Sequence, residues 1–347
     1  MMIMKAAFIR KYGGPEVIEF DNVEDPQIDA NSVLVRVKAA SVNSLDAVVR
    51  VGGYKQFVKK FPHILGVDFS GTIEKVGEKV NTVTEGQRVI GFPILHDNSC
   101  EYCKEGYENL CKSFGVIGRD INGSYAELIS IPKENVIPFD WDYIQASTIQ
   151  LSLLTAWHAL AKRVQLREGM NIFIWGGSGG VGTFAIQIAK LFKANVITAT
   201  SEEWKAKKLK EIGADLVINY KEQDVLSKVM DFTNGRGVDV VIDSLGPDTL
   251  NTSIKITRKG GDIIVLGVGI KESDLTPINL RNLYIKYIRV HGTVIGTKKD
   301  LKQVIDLVKE GKIKPVIDSV FSLKDVREAH KKLEKGERVG KIVLAIN

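Results

Sequence analysis

The chain has 347 residues and a formal net charge of +6, from 48 lysines and arginines against 42 aspartates and glutamates. Its hydrophobic fraction of 44% and mean hydropathy of −0.01 are typical of a folded chain long enough for two domains, and they exclude a disordered one. No apolar run approaches the roughly 20 residues that a membrane span needs. Basic and acidic residues are interleaved, which favours a solvated lysine-rich surface over nucleic-acid binding.

The N-terminal half predicts a small antiparallel β domain. Its first twelve residues are too short and too mixed for a signal peptide and are expected to form an edge strand. Short alternating runs at residues 5–10, 32–40, 70–76, 87–92 and 125–131 predict strands, because glycine-rich turns separate them. A helix over residues 143–163 is expected to connect this domain to the next one.

The three cysteines of the chain lie within twelve residues. Cys100, Cys103 and Cys111 have the spacing C-x₂-C-x₇-C, and Asp97 stands three positions before the first of them. Zinc binds thiolate sulfur and carboxylate oxygen in a closed tetrahedron, so these four residues are a candidate structural zinc site, with one ion per chain. The alternative is three free thiols on a surface loop, since a disulfide between such close neighbours would be strained.

A glycine-rich turn follows an apolar run in the middle of the chain. Residues 172–182 read Ile-Phe-Ile-Trp-Gly-Gly-Ser-Gly-Gly-Val-Gly and lead into an amphipathic helix. Glycines at this spacing allow a tight turn, a close approach to a pyrophosphate and close packing of the helix on the strand. The helix N-terminus would offer free N–H groups to the phosphates. The predicted cofactor contacts here are Gly177, Gly179, Gly180, Val181 and Gly182.

Strands and helices alternate after this turn. Apolar strands are predicted at residues 195–199, 215–219, 239–242 and 262–266, with helices at 202–212, 224–232 and 247–257. This alternation predicts right-handed βαβ units, hence an α/β fold with a doubly wound parallel sheet of the Rossmann type. Two further helices, 298–311 and 323–335, precede a strand at 341–345 that is expected to return to the first domain. The predicted domains are residues 1–150 with 298–347, and residues 151–297.

The nicotinamide cofactor is expected to be NADPH, with NADH as the alternative. Thr200 and Ser201 stand where an NAD enzyme usually has an acid for the ribose hydroxyl, and Lys205 adds positive charge nearby. The alternative is that Glu202 or Glu203 binds an unphosphorylated ribose while Lys205 is solvated. Near the nicotinamide, the candidates at strand ends are Leu245, Gly267 and Val268.

Nearly the whole chain resembles the medium-chain dehydrogenase/reductase superfamily, which includes zinc alcohol dehydrogenases and quinone oxidoreductases. A GroES-like β domain precedes the nucleotide fold, and the cysteine lobe lies where the family has its structural zinc, with Asp97 in place of the first cysteine. The resemblance implies a role for Tyr220, in Ile-Asn-Tyr-Lys, as a contact of the 2′-phosphate.

The residues that bind catalytic zinc in the family's zinc enzymes are replaced here. The first ligand position holds Asn43, the histidine position holds Val67, and residues 148–152 offer no thiol or carboxylate for the third. The hydroxyl that starts the family's proton relay is replaced by Leu45. These residues resemble the zinc-independent quinone oxidoreductase branch, as do residues 42–46, 52–54, 66–71 and 154–157. No catalytic zinc is therefore expected.

Without a Lewis acid, the expected reaction is hydride transfer from NADPH to an electron-poor acceptor, a quinone or an enone-type alkene. Asn43 is a candidate donor to the acceptor's oxygen, and Tyr54 a candidate to stack on the acceptor or give a proton. Arg50 either anchors substrate or pairs with a surface acid. The alternatives are an alcohol or sugar dehydrogenase with an altered metal site, and a nucleotide-binding protein without activity.

The expected partner besides a small-molecule substrate is a second copy of the chain, as a homodimer or homotetramer. The family tends to form dimers, and the apolar run 288–295 suits continuation of a sheet across an interface. A cytoplasmic location is predicted, with no membrane and no nucleic-acid partner.

Overall fold

The structure, a computed structural model, describes residues 3–267 and 275–346. Its strands are β1 (Ile3–Ile9), β2 (Ile18–Glu24), β3 (Ser32–Val42), β4 (His63–Ile64), β5 (Asp68–Val76), β6 (Arg88–Gly91), β7 (Ile94–Leu95), β8 (Gly115–Val116), β9 (Leu128–Pro132), β10 (Val136–Pro138), β11 (Asn171–Ile174), β12 (Asn195–Thr200), β13 (Leu216–Asn219), β14 (Val238–Asp243), β15 (Thr257–Val265), β16 (Arg289–Gly292), β17 (Ile317–Ser322) and β18 (Lys341–Ala345). Its helices are α1 (Ser44–Val51), α2 (Glu101–Lys104), α3 (Tyr143–Ala146), α4 (Ser152–Trp157), α5 (Gly180–Leu191), α6 (Glu203–Ile212), α7 (Val225–Phe232), α8 (Leu250–Ile256), α9 (Leu280–Ile285), α10 (Lys298–Lys309) and α11 (Val326–Lys335).

A GroES-like β domain is built around β3. Its largest sheet has the order β10-β6-β5-β3-β18-β17, and β9 also pairs with β3. Alternate residues of β3 are buried along its first half, as expected of a strand with one face toward a core. The predicted GroES-like fold is confirmed, and the structure adds six strands that were not predicted: β2, β4, β7, β8, β10 and β17. The expectation that the first segment forms an edge strand is wrong, because β1 lies between β2 and β4.

The second domain is a six-stranded parallel sheet of the Rossmann type, again as predicted. Its order is β13-β12-β11-β14-β15-β16, and each neighbouring pair is parallel. The strand order reverses between β11 and β14, and in open sheets of this type ligands bind at the carboxyl ends of the strands on either side of that point. The glycine-rich turn lies there, between β11 and α5.

The predicted helix over residues 143–163 is wrong. The chain forms α3, α4 and a π-helical segment (His158–Arg163) instead. The hydroxyls of Ser147 and Thr148 donate to the backbone carbonyls of Ile144 and Gln145. Side-chain bonds of this kind compete with helix continuation, which explains the interruption after Ala146.

Two features join the domains. α4 packs on α5 and α10, so α10 contributes to the core shared with the Rossmann sheet. β18 pairs antiparallel with β3, which returns Lys341, the first residue of β18, to the β domain. Among the residues that the structure describes, no helix is both long and apolar enough to cross a membrane.

Candidate active site

A cavity of about 540 Å³ lies between the two domains. It is lined on one side by residues around α1 and β8, and on the other by the glycine-rich turn and the ends of β14 and β15. Its charged lining residues within the described ranges are all cationic: Arg119, Arg338 and Lys341. The position between a Rossmann sheet edge and a second domain is typical of a site that holds a dinucleotide and its substrate.

Lys341 lines this cavity, and its buried ammonium group contacts three polar side chains. Its Nζ donates to Asn43 Oδ1 at 2.5 Å and to Ser152 Oγ at 3.2 Å, and lies 3.5 Å from Asp68 Oδ2. Asn43 and Ser152 are in two of the three segments where zinc enzymes of similar sequence have metal ligands. The third position, Val67, is buried in the core. The ammonium group of Lys341 thus connects two of the segments that hold metal ligands in those zinc enzymes.

The amide of Asn43 is fully engaged inside the protein. Its Nδ2 donates to the Ser41 carbonyl at 3.2 Å and to Asp68 Oδ2 at 3.0 Å, while its oxygen accepts from Lys341. An amide nitrogen has two hydrogens, so neither is left for the oxygen of an acceptor. The predicted donation from Asn43 to substrate is therefore not present in this geometry, which gives Asn43 the role of orienting Lys341.

Two buried carboxyl groups, those of Asp68 and Asp46, support this centre through hydrogen bonds. Asp68 also accepts from Ser41 Oγ at 2.9 Å, and burial raises its pKa although Lys341 opposes the shift. Asp46 accepts from the Asn43 backbone N–H and from Tyr125 Oη, both at 2.8 Å. Burial raises the pKa of Asp46 to about 7, since desolvation disfavours the charged form.

The two other predicted catalytic residues have different environments. Tyr54 lines the cavity, so its ring is available to an acceptor. Arg50 is fully buried in the β domain and does not line the cavity. It donates to the Gly13 carbonyl at 3.0 Å, contacts His330 Nδ1 at 2.9 Å and pairs with Glu334. Of the two expectations for Arg50, the structure shows the pairing with an acid, Glu334, and not the anchoring of substrate. These contacts stabilise the packing of α11 on the β domain.

The glycine-rich turn has the geometry expected of a pyrophosphate site. A Cβ at Gly177 would lie 2.1 Å from Thr198 Oγ1, and one at Gly182 would lie 2.3 Å from the Gly176 carbonyl oxygen. A Cβ at Gly179 would meet one atom, at 3.3 Å, so the turn is open at that point. Gly177 and Gly182 therefore allow close packing, whereas Gly179 leaves room for a ligand beside the N-terminus of α5. Gly180, Val181, Leu245 and Gly267 line the same cavity; Val268 lies outside the described residues.

The residues predicted to select NADPH lie at the ends of β12 and β13 and in the first turn of α6. Lys205 is 5% exposed, which contradicts the alternative in which its side chain is solvated. Its Nζ lies 3.8 Å from Glu202 Oε1. Glu202 is held by Trp204 Nε1 at 2.8 Å, a bond that lowers the pKa of its carboxyl. Thr200 is buried and Tyr220 is half exposed. These residues and Ser201 do not line the central cavity; a cofactor would reach them by extending past the turn.

The cysteine lobe forms a compact ligand cluster. One ligand atom from each of Asp97, Cys100, Cys103 and Cys111 lies within 4.8 Å of the others. The Sγ of Cys100 is 3.5 Å from that of Cys103 and 3.9 Å from that of Cys111. Zn–S bonds of about 2.3 Å in a tetrahedron place sulfurs about 3.8 Å apart, so the cluster fits zinc.

Backbone N–H groups around the cluster donate hydrogen bonds to two of its four side chains, Asp97 and Cys111. Backbone N–H groups of Cys100 and Ser99 donate to Asp97 Oδ1 and hold its pKa below the usual range. The Cys111 sulfur accepts from the backbone of Asp97 and Ser113. Burial and the neighbouring thiols raise the pKa of Cys103 to about 12, so a bound cation is needed for all four groups to be ionised together.

Lys341, Arg119 and Arg338 are the site residues that sequence reasoning missed. A signal existed for Lys341, because it opens an otherwise apolar strand, Ile-Val-Leu-Ala, that was expected to return to the first domain. Arg119 and Arg338 carry no such signal in the sequence, since each stands in a polar loop.

Two family profiles match the chain. One described as "Alcohol dehydrogenase GroES-like domain" matches residues 29–140, and one described as "Zinc-binding dehydrogenase" matches residues 180–310. Three curated relatives are each 30% identical. Acryloyl-coenzyme A reductase of Sulfurisphaera tokodaii covers 96% of this chain and 97% of its own length, and an alcohol dehydrogenase of Geobacillus stearothermophilus covers 99% of both. 2-methylene-furan-3-one reductase of Solanum lycopersicum covers 98% of this chain and 79% of its own length.

A solved structure of an NAD-dependent alcohol dehydrogenase has the same fold. It superposes with a TM-score of 0.92 at 34% sequence identity, over 99% of this chain and 100% of its own. The proteins similar to this chain thus include both alcohol dehydrogenases and reductases of other substrates.

Proposed function

The chain belongs to the medium-chain dehydrogenase/reductase superfamily, and from this premise we propose that it is an NADPH-dependent reductase of alkenes conjugated to a carbonyl group. Quinones are the second acceptor class of the proposal. The observation that carries it is the bridging of Asn43 and Ser152 by the ammonium of Lys341, together with the valine at the remaining ligand position, Val67. Valine has no ligand atom and an amide is a poor zinc ligand, so the residues present do not fit a catalytic zinc.

The proposed reaction needs an acceptor that is already electron-poor. A metal would polarise an ordinary ketone, and this centre offers hydrogen-bonding groups instead. A hydride from the reduced nicotinamide would add to the β-carbon of the alkene and a proton to the α-carbon, leaving NADP⁺ and a saturated carbonyl compound. The protein's contribution is to position the two reactants and exclude water, which can supply much of the acceleration.

The site residues divide this work. Leu245, Leu266 and Gly267 form the cavity wall at the strand ends, where the nicotinamide is proposed to bind. Tyr54 faces the acceptor from the β domain. The names of two relatives, acryloyl-coenzyme A reductase and 2-methylene-furan-3-one reductase, denote substrates with such a conjugated double bond, and this supports the proposal.

We also propose that Thr200, Ser201, Lys205 and Tyr220 accept the 2′-phosphate of NADPH. Lys205 supplies the positive charge, and Glu202 is turned toward Trp204 and Lys205 instead of occupying a ribose site. A carboxylate at the ribose would repel the 2′-phosphate. Because the Glu202 carboxylate contacts Trp204 and Lys205 instead, its position favours NADPH over NADH.

The proposal includes one zinc ion per chain, held by Asp97, Cys100, Cys103 and Cys111. These groups come from one lobe with four ligands, so the ion would have no open position and would stabilise the lobe without contacting substrate.

The test pairs a metal count with an acceptor survey. Elemental analysis is expected to give one zinc per chain, and NADPH oxidation is expected with cyclohexenone or phenanthrenequinone and to continue in the presence of a chelator of free zinc. Two zinc ions per chain with oxidation of ethanol or a polyol would instead identify an alcohol dehydrogenase with a rebuilt metal site. Tight NADPH binding without turnover of any acceptor would identify a nucleotide-binding protein.

We further propose a cytoplasmic homodimer formed through the edge strand β16. Tyr284, Tyr287 and Val290, on and beside this strand, are 68%, 80% and 46% exposed. β16 pairs with β15 on one side and forms the edge of the described sheet on the other. Such an edge, beside exposed aromatic side chains, suits continuation of the sheet into a second copy. Light scattering of the wild type and V290D is expected to show a dimer and a monomer, respectively.

A further inference from the structure

The cationic groups of the active-site cavity lie at two separate ends. Lys341 and Arg338 are beside the glycine-rich turn, because Gly340 donates to the Ser178 carbonyl at 2.9 Å and a Cβ at Gly180 would lie 2.7 Å from Lys341 Cδ. The phosphates of a dinucleotide would be near these two residues. Arg119 lines the cavity from the loop after β8, on the side of the β domain, and is left without a role in binding the cofactor.

Arg119 is held in place by aromatic rings and one acid. Its guanidinium carbon lies 4.1 Å from the ring centre of Phe57, 5.4 Å from that of Phe114 and 5.6 Å from that of Tyr54. Its Nε donates to Asp120 Oδ2 at 2.7 Å, an oxygen that also accepts from the Val116 backbone at 2.8 Å. These contacts fix the plane and direction of the guanidinium group.

The terminal nitrogens of Arg119 are available to a ligand. The residue is 7% exposed, and within the described part of the chain the hydrogen bond of its side chain is the one from Nε. A guanidinium group has five N–H donors, and its two terminal nitrogens match the spacing of two oxygens in a planar anion. Burying such a group beside aromatic walls is costly unless its donors are paired, so the site is suited to an oxyanion.

We infer that Arg119 binds an anionic oxygen group of the acceptor and makes the enzyme selective for activated alkenes that carry one. The inference rests on the proposed alkene reduction and specifies its substrate class. The anion is either a carboxylate on a small acceptor or a phosphate of an acyl-coenzyme A, since both present oxygens that Arg119 can bind in the same way. Tyr54 and Phe114, which also line the cavity, would cover the apolar part of the acceptor.

The experiment compares matched charged and neutral acceptors. β-Acetylacrylate is compared with its methyl ester, and crotonyl-coenzyme A with crotonyl-N-acetylcysteamine, in the wild type, R119Q and R119K. Comparing ratios of kcat/KM between proteins cancels the intrinsic reactivity of each acceptor. In R119Q, the ratio of kcat/KM for the charged acceptor to that for the neutral one is expected to fall about 10- to 100-fold, in the pair whose anion Arg119 binds. R119K should be intermediate, because lysine keeps the positive charge but lacks the two parallel N–H donors of a guanidinium group.

R88Q is the matched control. Arg88 also stacks on two rings, 5.0 Å from the Phe139 centre and 4.1 Å from the Tyr143 centre, but it does not line the cavity. Its loss should change stability without changing either ratio. A fall in the first pair alone identifies a carboxylate, and a fall in the second alone identifies a phosphate. If neither ratio falls further in R119Q than in R88Q, the inference is refuted.

A binding measurement separates this inference from the proposed function. Calorimetry with NADP⁺ and levulinate, the saturated product of β-acetylacrylate, needs no turnover. If no acceptor is reduced, the proposed alkene reductase function fails. Anion binding by Arg119 is still supported when levulinate binds the wild type at least about tenfold more tightly than R119Q. Methyl levulinate, which lacks the carboxylate, should show no such difference. Equal weak binding of levulinate to both proteins, together with unchanged acceptor ratios, would overturn it.

Discussion

Replacing Lys341 by methionine is expected to destabilise the protein strongly, because it leaves the carboxylate of Asp68 buried without a counter-charge. The two groups are 2% and 0% exposed and lie 3.5 Å apart. At that distance, with an effective dielectric constant of about 20, their attraction is about 5 kcal/mol. Breaking one partner of a buried pair typically costs about 3–5 kcal/mol, and we expect K341M to lose that amount of its free energy of unfolding.

The K341M/D68N double variant should recover most of this loss, since a neutral amide can keep the hydrogen bonds from Ser41 and Asn43. Thermal unfolding measures the difference, because about 4 kcal/mol corresponds to a shift in Tm of the order of 10 °C. K309M is the control: Lys309 pairs with Asp140 at 3.2 Å on the surface, where both side chains are solvated, and its loss should cost less than about 1 kcal/mol. Equal effects of K341M and K309M, or no rescue by D68N, would refute the coupling.

Three further predictions concern other parts of the site. The pKa of Asp46 is raised from 3.8 to about 7, so this group contributes stability that is complete below about pH 4 and lost as the pH rises through 7. D46N stays neutral and should lack this contribution, up to about 4 kcal/mol, when the free energy of unfolding is measured across that range. Parallel pH profiles of the wild type and D46N would contradict the prediction. C103S should lower the zinc content from one ion per chain toward zero with a lower Tm, while unchanged zinc would mean that Cys103 is not a ligand. K205A should raise the KM for NADPH about tenfold or more and leave the KM for NADH nearly unchanged, and an equal effect on both cofactors would exclude contact with the 2′-phosphate.

Much of the fold could be predicted from the sequence because its signals are local and repeated. The alternation of apolar strands and amphipathic helices after residue 172 predicted β11 to β14 and α5 to α8 within a few residues. β15 was the exception, since it begins at Thr257 and passes through Gly260 and Gly261, which resemble a turn in the sequence. Its early start depends on pairing with β14, a contact that local composition does not reveal.

The candidate site was predictable where one short segment forms it, and less so where distant segments meet. The glycine-rich turn and the cysteine lobe each fall within a few residues, and their geometry agrees with the ligands proposed for them. Lys341 contacts Asn43 across 298 residues of sequence, and only the return of β18 to β3 brings them together. Arg50 was expected either to anchor substrate or to pair with a surface acid, and the sequence could not decide between these roles; α1 directs its side chain toward Glu334, and it does not line the cavity.

The pairing of β18 with β3 also fixes when during synthesis the reaction centre can assemble. β3 spans residues 32–42, and β18, one of its neighbours in the sheet, is not translated until residues 341–345 have been added. The Rossmann strands, encoded between them, can fold on the ribosome while Asp68 and Asn43 still lack their ammonium partner. A nascent chain can therefore form the strands of the Rossmann sheet before Lys341 joins Asn43 and Asp68.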